Sequence, residues 1–549
     1  MEELREITIG RALREQAEKN RNKEFIVFAN RNIRRTFGDV DKKADDLAKA
    51  LLAAGFKKGD HIGIWANNVP EWETVFFAVA RVGVVAVPIN ANYKHIEAAY
   101  IIEQADIKGL FIIDHYRSLN YAEMLSQLLP DLCSAELDGV KSEKFPYLKT
   151  IITIDNTARA GMYTLEQFIE KGASVTDSSL QDAEKQVDAA SLLCIMYSSG
   201  TTGNYKGAML THTGVINNAF YANEMNHVNI NAVVLNPLPL FHIMSLTDGL
   251  IEVLLFGAKA VITEYFDPAQ CLEIIQKEKC TMMYAVPAMY TAMLNHPMFE
   301  TFNPESLKHG YIGGAPCPAE LAKSLLEKLR LQCLSIGYGL TETSPLVCRC
   351  FISDASDQRL KTIGAPIPGV TVCIRDSGNK ECPVNVKGEI CVKGYNVMKG
   401  YYKMEQATKE VIDNDGWFHT GDIGYMMPDG YFVIDGRIKE LIIRGGENIS
   451  PKEVENILLT MPCVRDAQVA GIPSKKYGEE VGAFVILKER ETAVEKDIVE
   501  FCKERISLHK TPKFVFFMDS FPWTASGKVQ KFKLTEFGLK QIREKGIAT

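Results

Sequence analysis

Short apolar runs alternate with helical patterns through the first half of this 549-residue chain. In residues 41–54 the apolar positions recur every three or four residues, as in a helix, whereas 61–66 is a short apolar run typical of a strand. Residues 71–82 and 84–89 repeat this helix and strand pair. Strands that alternate with helices favour parallel sheets covered by helices, so we predict an α/β fold.

The pattern changes after about residue 360, where short strands and turns predominate. Strands at 424–427 and 431–434 flank the turn Pro428-Asp429-Gly430 and are predicted to form a β-hairpin. From about residue 436 the pattern is that of a small α+β domain, with helices at 451–460 and 494–507 and strands at 466–471 and 483–487. We therefore predict two domains, 1–435 and 436–549, joined by a short hinge at Asp435-Gly436-Arg437.

Charge and composition exclude several classes of protein. The net charge is −7 at pH 7 and there is no long basic run, which argues against a nucleic-acid partner. The chain has no stretch of about 18 apolar residues, so no membrane span is predicted. The N-terminus lacks an apolar signal-peptide core. The 13 cysteines are odd in number and lack a zinc-type spacing, so we expect free thiols and a reducing, cytoplasmic location.

The most informative segment is Tyr197-Ser198-Ser199-Gly200-Thr201-Thr202-Gly203-Asn204-Tyr205-Lys206-Gly207. It directly follows the apolar run 192–196, which is predicted to be a buried strand. Its glycines let the backbone turn sharply and approach a ligand, and its hydroxyls, amide N–H groups and Lys206 are donors suited to phosphate. No Gly-Lys-Ser/Thr closes the loop, so a P-loop NTPase is excluded.

This loop resembles the phosphate loop of the adenylate-forming superfamily, which includes acyl- and aryl-CoA synthetases, peptide-synthetase adenylation domains and firefly luciferase. The family usually has Pro where this chain has Tyr205, and because Pro restricts φ, we expect the substitution to soften the loop. The resemblance implies catalytic roles for Thr201 and Lys206, with Thr201 also at a metal ion. It implies ATP binding by Ser198, Ser199, Gly200, Thr202 and Gly203.

Two further segments resemble the nucleotide-binding motifs of the family. In 337–343, Tyr338 offers a face for a purine, Thr341 offers a hydroxyl to phosphate, and Glu342 is a hard oxygen ligand suited to Mg²⁺. Glycines there permit close backbone approach, and a second segment of small residues would let a flat adenine ring lie against the backbone. The nucleotide-binding residues that these segments add are Gly313, Gly314, Ala315, Gly337, Tyr338, Gly339 and Thr341.

The remaining motifs lie towards the C-terminus. In 417–422 the resemblance makes Asp422 the ligand of the ribose hydroxyls. In 435–451 it implies that Arg437 binds the ribose or a phosphate, that Lys439 is the hinge, and that Gly445 and Gly446 line the entry of the thiol. In 522–531 it makes Lys528 the catalytic lysine.

The resemblance covers roughly residues 20–535 and implies a fold, a reaction and partners. The fold is a large N-terminal domain of parallel α/β subdomains plus a distorted β-barrel, with a small mobile α+β C-terminal domain. The reaction uses ATP and Mg²⁺ to make an acyl-adenylate and then transfers the acyl group to coenzyme A. A homodimer is left open.

The identity of the acid is less constrained than the reaction. His242 stands where amino-acid-activating relatives have an Asp for the substrate ammonium, so an amino acid is disfavoured. His242 lies near the substrate carboxylate or packs in the core, and the sequence favours neither. An apolar wall predicted around it favours a medium or long aliphatic acid over an aryl acid: Met244, Met282, Met283, Val286, Pro287 and Ile312.

Three alternatives to coenzyme A ligation stay open. The first is an acyl-AMP ligase that loads an acyl carrier protein, although the insertion common in such relatives is missing near the domain junction. The second is a luciferase-like oxidase, which would emit light in the presence of oxygen. The third is an ATP-binding module without catalysis, which would bind nucleotide without releasing pyrophosphate.

Overall fold

The computed structural model describes residues 3–199, 205–351, 354, 361–445, 447–523 and 529–545. Its backbone forms two compact units, one of Met1–Thr371 and Val392–Phe418 and one of Val372–Cys391 and His419–Thr549. The hinge residues Asp435-Gly436-Arg437 lie in the strand Phe432–Arg437 and are not an open linker: Gly436 and Arg437 are paired backbone, and Asp435 lies at a β-bulge. The domain division at residue 435 stays a prediction.

The larger sheet of the first unit has nine strands, and its six central strands run parallel. Antiparallel strands close both of its edges. In spatial order the strands are Ala365–Pro366, Leu346–Arg349, Cys333–Gly339, His309–Ile312, Met282–Ala285, Val233–Asn236, Lys259–Ile262, Glu24–Phe28 and Ile33–Thr36.

A second sheet of the same unit has seven strands and is parallel except for one antiparallel edge strand. In spatial order they are Tyr205–Thr211, Leu192–Ser199, Val85–Ile89, His61–Trp65, Ile107–Ile112, Thr150–Thr153 and Tyr163–Thr164. The strands His61–Trp65 and Val85–Ile89 at the centre of this sheet are buried along their whole length, as parallel strands covered by helices on both faces must be.

Helices supply that cover. The helix Phe37–Ala53 begins with a capping box, in which Thr36 and Asp39 satisfy each other's backbone N–H groups. Helix Trp72–Arg81 is buried at every position, because apolar residues occur all round it. Among the described residues of this unit, the other helices of eight or more residues are Ile9–Asn20, His95–Gln104, Tyr121–Leu128, Asp177–Lys185, His212–Asn226, Pro268–Glu278, Pro287–Leu294 and Ala319–Lys328.

The second unit contains most of a four-stranded sheet and all of a five-stranded one. The four-stranded sheet consists of Val370–Arg375, Gly388–Gly394, Phe418–Met426 and Phe432–Arg437, and it lies in the part of the chain where short strands and turns are predicted. The five-stranded sheet consists of Glu447–Ile449, Ile442–Arg444, Gly478–Leu487, Val464–Ser474 and Phe514–Phe517.

Alternate residues of the strand Gly478–Leu487 lie in two different apolar clusters. Ala483 and Val485 belong to one cluster, whereas Phe484 and Ile486 belong to the other. Side chains of a strand point alternately to its two faces, so both faces of this sheet are covered. The helices of this unit are Pro451–Leu458, Glu495–Lys503 and Lys531–Glu544.

The α/β fold with parallel sheets and a smaller C-terminal α+β region is therefore confirmed. Most predicted elements exist and differ only at their ends: the helix predicted at 71–82 is Trp72–Arg81. The strand predicted at 192–196 extends to Ser199, because Tyr205–Thr211 pairs with it up to the loop. Among the described residues, no helix combines the length and apolar character needed to cross a membrane.

Candidate active site

Adjacent parallel strands of the nine-stranded sheet end beside predicted ligand segments. The strand His309–Ile312 runs directly into Gly313, and its neighbour Cys333–Gly339 ends on the segment that carries Tyr338. On the same side, Val233–Asn236 precedes His242. Because these strands are parallel, the segments share the carboxyl edge of the sheet, where open α/β sheets bind ligands.

The predicted phosphate loop connects the two strands of a β-hairpin. Ser198 pairs with Lys206 and Ser199 with Tyr205 at the end of this hairpin that adjoins the loop. The hydroxyl of Ser198 donates a hydrogen bond to Glu342 Oε1 at 3.3 Å, which joins the hairpin to the edge of the other sheet. The loop residues Gly200, Thr201, Thr202 and Gly203 lie outside the described residues.

Glu342 is held by two hydroxyl groups. It lies in the short 3₁₀ turn Thr341–Thr343, directly after the strand Cys333–Gly339, and is only 8 % exposed. Besides Ser198, the hydroxyl of Tyr401 donates to Glu342 Oε1 at 2.9 Å. Burial, and then the Glu342 charge, raises the pKa of Tyr401 far above its usual range, so this hydroxyl stays a donor.

Sequence reasoning missed Tyr401. It lies 59 residues from Glu342 along the chain and is brought there by backbone pairing of Ala208 with Tyr401. The ammonium of Lys206 lies 5.0 Å from the centroid of its ring, a cation–π distance. No charge, glycine pattern or spacing marks Tyr401 in the sequence.

The geometry of Glu342 fits a Mg²⁺ ligand. Mg²⁺ prefers hard oxygen ligands and is usually held by one or two carboxylates together with substrate phosphates. The hydrogen bonds that Glu342 accepts from described side chains both end on Oε1, which leaves Oε2 for a cation. Both donors are neutral, so the carboxylate keeps its full negative charge for a cation.

Tyr205, which replaces the usual Pro, is tied to the helix His95–Gln104. Its hydroxyl donates to Glu97 Oε1 at 3.0 Å, and its carbonyl accepts a hydrogen bond from Tyr100 at 3.1 Å. Its ring also lies 5.0 Å from that of Tyr93. Burial, followed by the bond to Glu97, raises the pKa of Tyr205 to about 12. Side-chain contacts thus restrain a position where Pro would act through φ.

The glycines beside the predicted adenine site are required by protein packing. A Cβ on Gly313 would lie 2.8 Å from Met244 Sδ and 2.9 Å from Tyr311 Oη. A Cβ on Gly337 would collide with the same Tyr311 hydroxyl, and one on Gly339 would collide with neighbouring backbone. We predicted that these glycines let a ligand approach the backbone, whereas the structure shows that Tyr311 already uses the space at two of them.

The other predicted nucleotide-binding residues of this unit differ in exposure. Gly314 is exposed and has a φ of +78°, a conformation that favours glycine. Ala315 and Thr341 are half-buried, and Tyr338 is 8 % exposed.

His242 is half-buried beside Phe241, with ring centroids 4.8 Å apart. The residues predicted to form an apolar wall around His242 do not all lie on the same face of the sheet. Met282 packs in one core cluster and Met283 in another, because successive side chains of a strand point to opposite faces. The expectation that both residues line one acid pocket is therefore wrong.

In the second unit, Asp422 and Arg437 form a cross-strand pair. They face each other in the hairpin of Phe418–Met426 and Phe432–Arg437, and Arg437 Nε donates to Asp422 Oδ1 at 2.8 Å. Asp422 is 3 % exposed, and its backbone N–H donates to Thr420 Oγ1 at 3.0 Å. Asp422, predicted to bind the ribose, and Arg437, predicted to bind the ribose or a phosphate, are thus direct partners.

The predicted hinge and thiol-entry residues follow this hairpin. Lys439 lies exposed in the 3₁₀ turn Ile438–Glu440. Gly445 follows the strand Ile442–Arg444, has a φ of +61° and donates its N–H to the Tyr477 carbonyl at 2.8 Å. Gly446 lies outside the described residues.

Lys528 also lies outside the described residues, but both flanks of its segment are described. Trp523 and Val529 form an antiparallel backbone bridge across it. Lys531, three residues further on, has its ammonium 2.8 Å from Glu455 Oε1. The two residues that flank this segment are therefore joined by a backbone bridge, and Lys531 is joined to the helix Pro451–Leu458 by an ion pair.

Comparisons with known proteins cover almost the whole chain. The profile of the AMP-binding enzyme family matches residues 13–402, and that of the AMP-binding enzyme C-terminal domain matches 453–528. A putative acyl-CoA synthetase, YngI of Bacillus subtilis, is 40% identical over 537 residues, which are 98% of each chain.

Two further similarities agree with this. The mitochondrial medium-chain acyl-CoA ligase ACSF2 of Danio rerio is 35% identical over 543 residues, which cover 98% of this chain and 89% of the relative. The crystal structure of ATP-bound MatB from Rhodopseudomonas palustris has a TM-score of 0.81 at 26% identity and covers 97% of this chain and 99% of its own.

Proposed function

Because the chain belongs to the AMP-binding enzyme family, we propose that it is an ATP-dependent ligase that joins a medium-chain aliphatic acid to coenzyme A. The carboxylate attacks the α-phosphorus of ATP and forms acyl-AMP with release of pyrophosphate. The thiol of coenzyme A then attacks the acyl carbon, loses its proton and displaces AMP. No general base is needed in the first step, because the acid is already ionised at neutral pH.

The observation that carries this proposal is the buried carboxylate of Glu342 at the base of the phosphate hairpin. Ser198 belongs to that hairpin and donates to Glu342, so phosphate donors and a cation ligand are fixed next to each other. Adenylation requires this combination, because negative charge builds up on the phosphate oxygens while pyrophosphate leaves.

Each proposed residue acts on that charge. When bound to Glu342, with Thr201 as a further ligand, Mg²⁺ would stabilise the charge on the phosphates. Thr201, Thr202 and Lys206 hold the departing pyrophosphate, and Lys528 stabilises the charge at the α-phosphate. Asp422 binds the ribose hydroxyls, and Arg437 binds the ribose or a phosphate.

The acid class rests on two arguments. Relatives that span this chain are named medium-chain acyl-CoA ligases. In addition, position 242 carries His and not a carboxylate, so that position lacks a counter-ion for a substrate ammonium. An aryl acid is the second candidate for the same reaction.

The test is turnover of ATP with a panel of acids. The purified chain is incubated with ATP, Mg²⁺ and straight-chain acids from butyric to palmitic, together with benzoic acid and leucine, with and without coenzyme A. We expect acid-dependent pyrophosphate release, strongest at intermediate chain lengths, and AMP turnover that needs coenzyme A.

Other outcomes separate the alternatives. Pyrophosphate release that coenzyme A does not accelerate would move the acceptor to an acyl carrier protein, and a preference for benzoic acid would make the enzyme an aryl-acid ligase. ADP in place of AMP would overturn the reaction, as would nucleotide binding without pyrophosphate release. Cytoplasmic location and a homodimeric state stay predictions.

We also propose that Lys528 serves only the first half-reaction, while Lys439 is a hinge that brings Gly445 and Gly446 to the thiol. Lys528→Ala should abolish adenylation and spare thioester formation from supplied acyl-AMP. The two half-reactions are measured separately, as pyrophosphate release and as acyl-CoA formation. Equal loss of both would contradict this division of work.

A further inference from the structure

Side chains with the chemistry of zinc ligands meet on neighbouring strands of the four-stranded sheet. Glu389 and Cys391 lie two residues apart on the strand Gly388–Gly394, so both point to the same face. His419 lies on the adjacent strand Phe418–Met426. One ligand atom from each of the three lies within 4.8 Å of the others.

A further thiol lies on the next strand, Val370–Arg375. The Sγ of Cys373 is not one of the atoms that lie within 4.8 Å of one another, so Cys373 is a neighbour of Cys391 outside the ligand group. Both are free cysteines. Arg375 Nε donates to Cys373 Sγ at 3.4 Å, so a guanidinium is in place to offset the charge of a thiolate.

The distances agree with tetrahedral zinc. With Zn–N of about 2.0–2.1 Å and Zn–S of about 2.3 Å, the nitrogen and sulfur of a tetrahedral site lie roughly 3.5 Å apart. His419 Nδ1 lies 3.5 Å from Cys391 Sγ. Its distance to Glu389 Oε2 is 2.8 Å, so that pair has to open by about 0.5 Å to reach a tetrahedral N···O edge.

The surroundings suit a bound ion. Cys391 is fully buried and Cys373 is 6 % exposed, whereas the side chains of His419 and Glu389 are 22% and 19% exposed. The ion therefore has an entry path on the histidine and glutamate side and a buried thiol side. Strands hold ligands more rigidly than loops do, and a thiolate ligand favours zinc over Mg²⁺.

We propose that Glu389, Cys391 and His419 bind one Zn²⁺ ion, whose fourth position is open to water. The sites already described do not use these side chains. The spacing of the three residues along the chain matches no zinc motif, which is why the cysteine pattern of the sequence indicates none. Only the alignment of two neighbouring strands brings them together.

Zinc at this position would also fix the ribose-binding turn. Glu389 Oε2 faces His419, and its other oxygen, Oε1, accepts the backbone N–H of Gly421 at 2.9 Å. Gly421 precedes Asp422, so one carboxylate would connect the ion to the turn that carries the proposed ribose ligand. Bound zinc would therefore rigidify this turn.

The test uses the full-length chain, freed of metal with a chelator and titrated with Co²⁺ and then with Zn²⁺. We expect one equivalent of Co²⁺ with a thiolate charge-transfer band, which one equivalent of Zn²⁺ removes. Zinc should raise the melting temperature and protect Cys391 from alkylation. Cys391→Ser should weaken metal binding by about 10–100-fold or more.

Two further variants keep the test decisive. Cys463→Ser removes a free, half-buried thiol outside the cluster and should leave the cobalt spectrum unchanged. Glu389→Gln keeps an acceptor for Gly421 and should weaken binding without unfolding the chain, in case Cys391→Ser does not fold. A cobalt spectrum that is absent, or that persists unchanged in both cluster variants, would overturn the proposal.

Discussion

Two nearly buried carboxylates, one in each unit, have hydrogen-bond partners of different charge. Glu342 accepts hydrogen bonds from the neutral hydroxyls of Ser198 and Tyr401, and within the described residues no basic group lies within 4.0 Å of it. Asp422 is instead paired with the guanidinium of Arg437 at 2.8 Å. The first carboxylate keeps its charge for a cation, whereas the charge of the second is already balanced.

This difference corresponds to the charge of the two proposed ligands. Mg²⁺ gains most from a carboxylate whose charge no other cation shares. Ribose hydroxyls are neutral, so a charge-balanced carboxylate can accept their hydrogen bonds at little desolvation cost. A family motif names both residues as ligands, but only their partners show which kind of ligand each is prepared for.

The largest effect should come from removing the charge of Glu342 while keeping its shape. Glu342→Gln should lower acid-dependent pyrophosphate release about 10²–10³-fold, because it removes one electrostatic group from the site of charge build-up. Glu405→Gln, a change at an exposed position of the same unit, is the matched control. A loss of less than about 10-fold at saturating Mg²⁺ would contradict the role of Glu342 as a metal ligand.

Asp422→Asn should have a smaller effect that appears in the KM for ATP. The change removes hydrogen bonds of about 1.5–3 kcal/mol to a charged group, which corresponds to roughly 10–150-fold. The same comparison with 2′,3′-dideoxy-ATP provides a double-mutant cycle, because that substrate lacks the proposed partners of Asp422. If Asp422→Asn costs as much with the dideoxy substrate, Asp422 does not bind the ribose.

A substitution at Tyr205 tests whether its hydrogen bond to Glu97 restrains the hairpin that carries Ser198, a hydrogen-bond donor to Glu342. Tyr205→Phe keeps the ring and removes the hydrogen bond to Glu97, so we expect the KM for ATP to rise about 2–10-fold. Glu97→Gln, which keeps an acceptor, should change it less. Equal KM values for Tyr205→Phe and the unmodified chain would show that the rings alone restrain this strand.

The last prediction concerns the loss of folding stability at acid pH, which limits the pH range in which the two carboxylates can be compared. Burial lowers the pKa of His212 to about 3, and its Nδ1 accepts the N–H of Ile9. The unfolded state thus binds a proton that the folded state does not, so stability present above about pH 6.5 is lost as the pH falls. Between about pH 6.5 and 5 this amounts to about 2 kcal/mol.

Urea unfolding at neutral and acid pH measures this effect. His212→Asn keeps an acceptor for Ile9 but does not titrate, so its midpoint should fall less with acid than that of the unmodified chain. Parallel acid curves would show that other groups determine the loss. Rates of the Glu342 and Asp422 variants are then compared only above the pH at which the fold weakens.

The sequence predicted the elements and motifs but not the partners. Helix Trp72–Arg81 and the hairpin that carries Asp422 follow from local periodicity and turn residues, which act over a few positions. Tyr401 reaches Glu342 from 59 residues away, and a local pattern contains no information about such a contact. The packing of Tyr311 against Gly313 likewise depends on side chains that meet only in the folded chain.

The position of the first strand has a consequence for how the protein is made. Glu24–Phe28 lies between Ile33–Thr36 and the parallel strand Lys259–Ile262, and Phe25 and Ile26 are fully buried there. Synthesis at roughly 5–20 residues per second delays the parallel partner by tens of seconds, and a lone two-stranded hairpin is marginal in water. This strand therefore waits for its parallel partner, and nascent chains that stop before residue 262 would expose an unpaired apolar edge to chaperones and to each other.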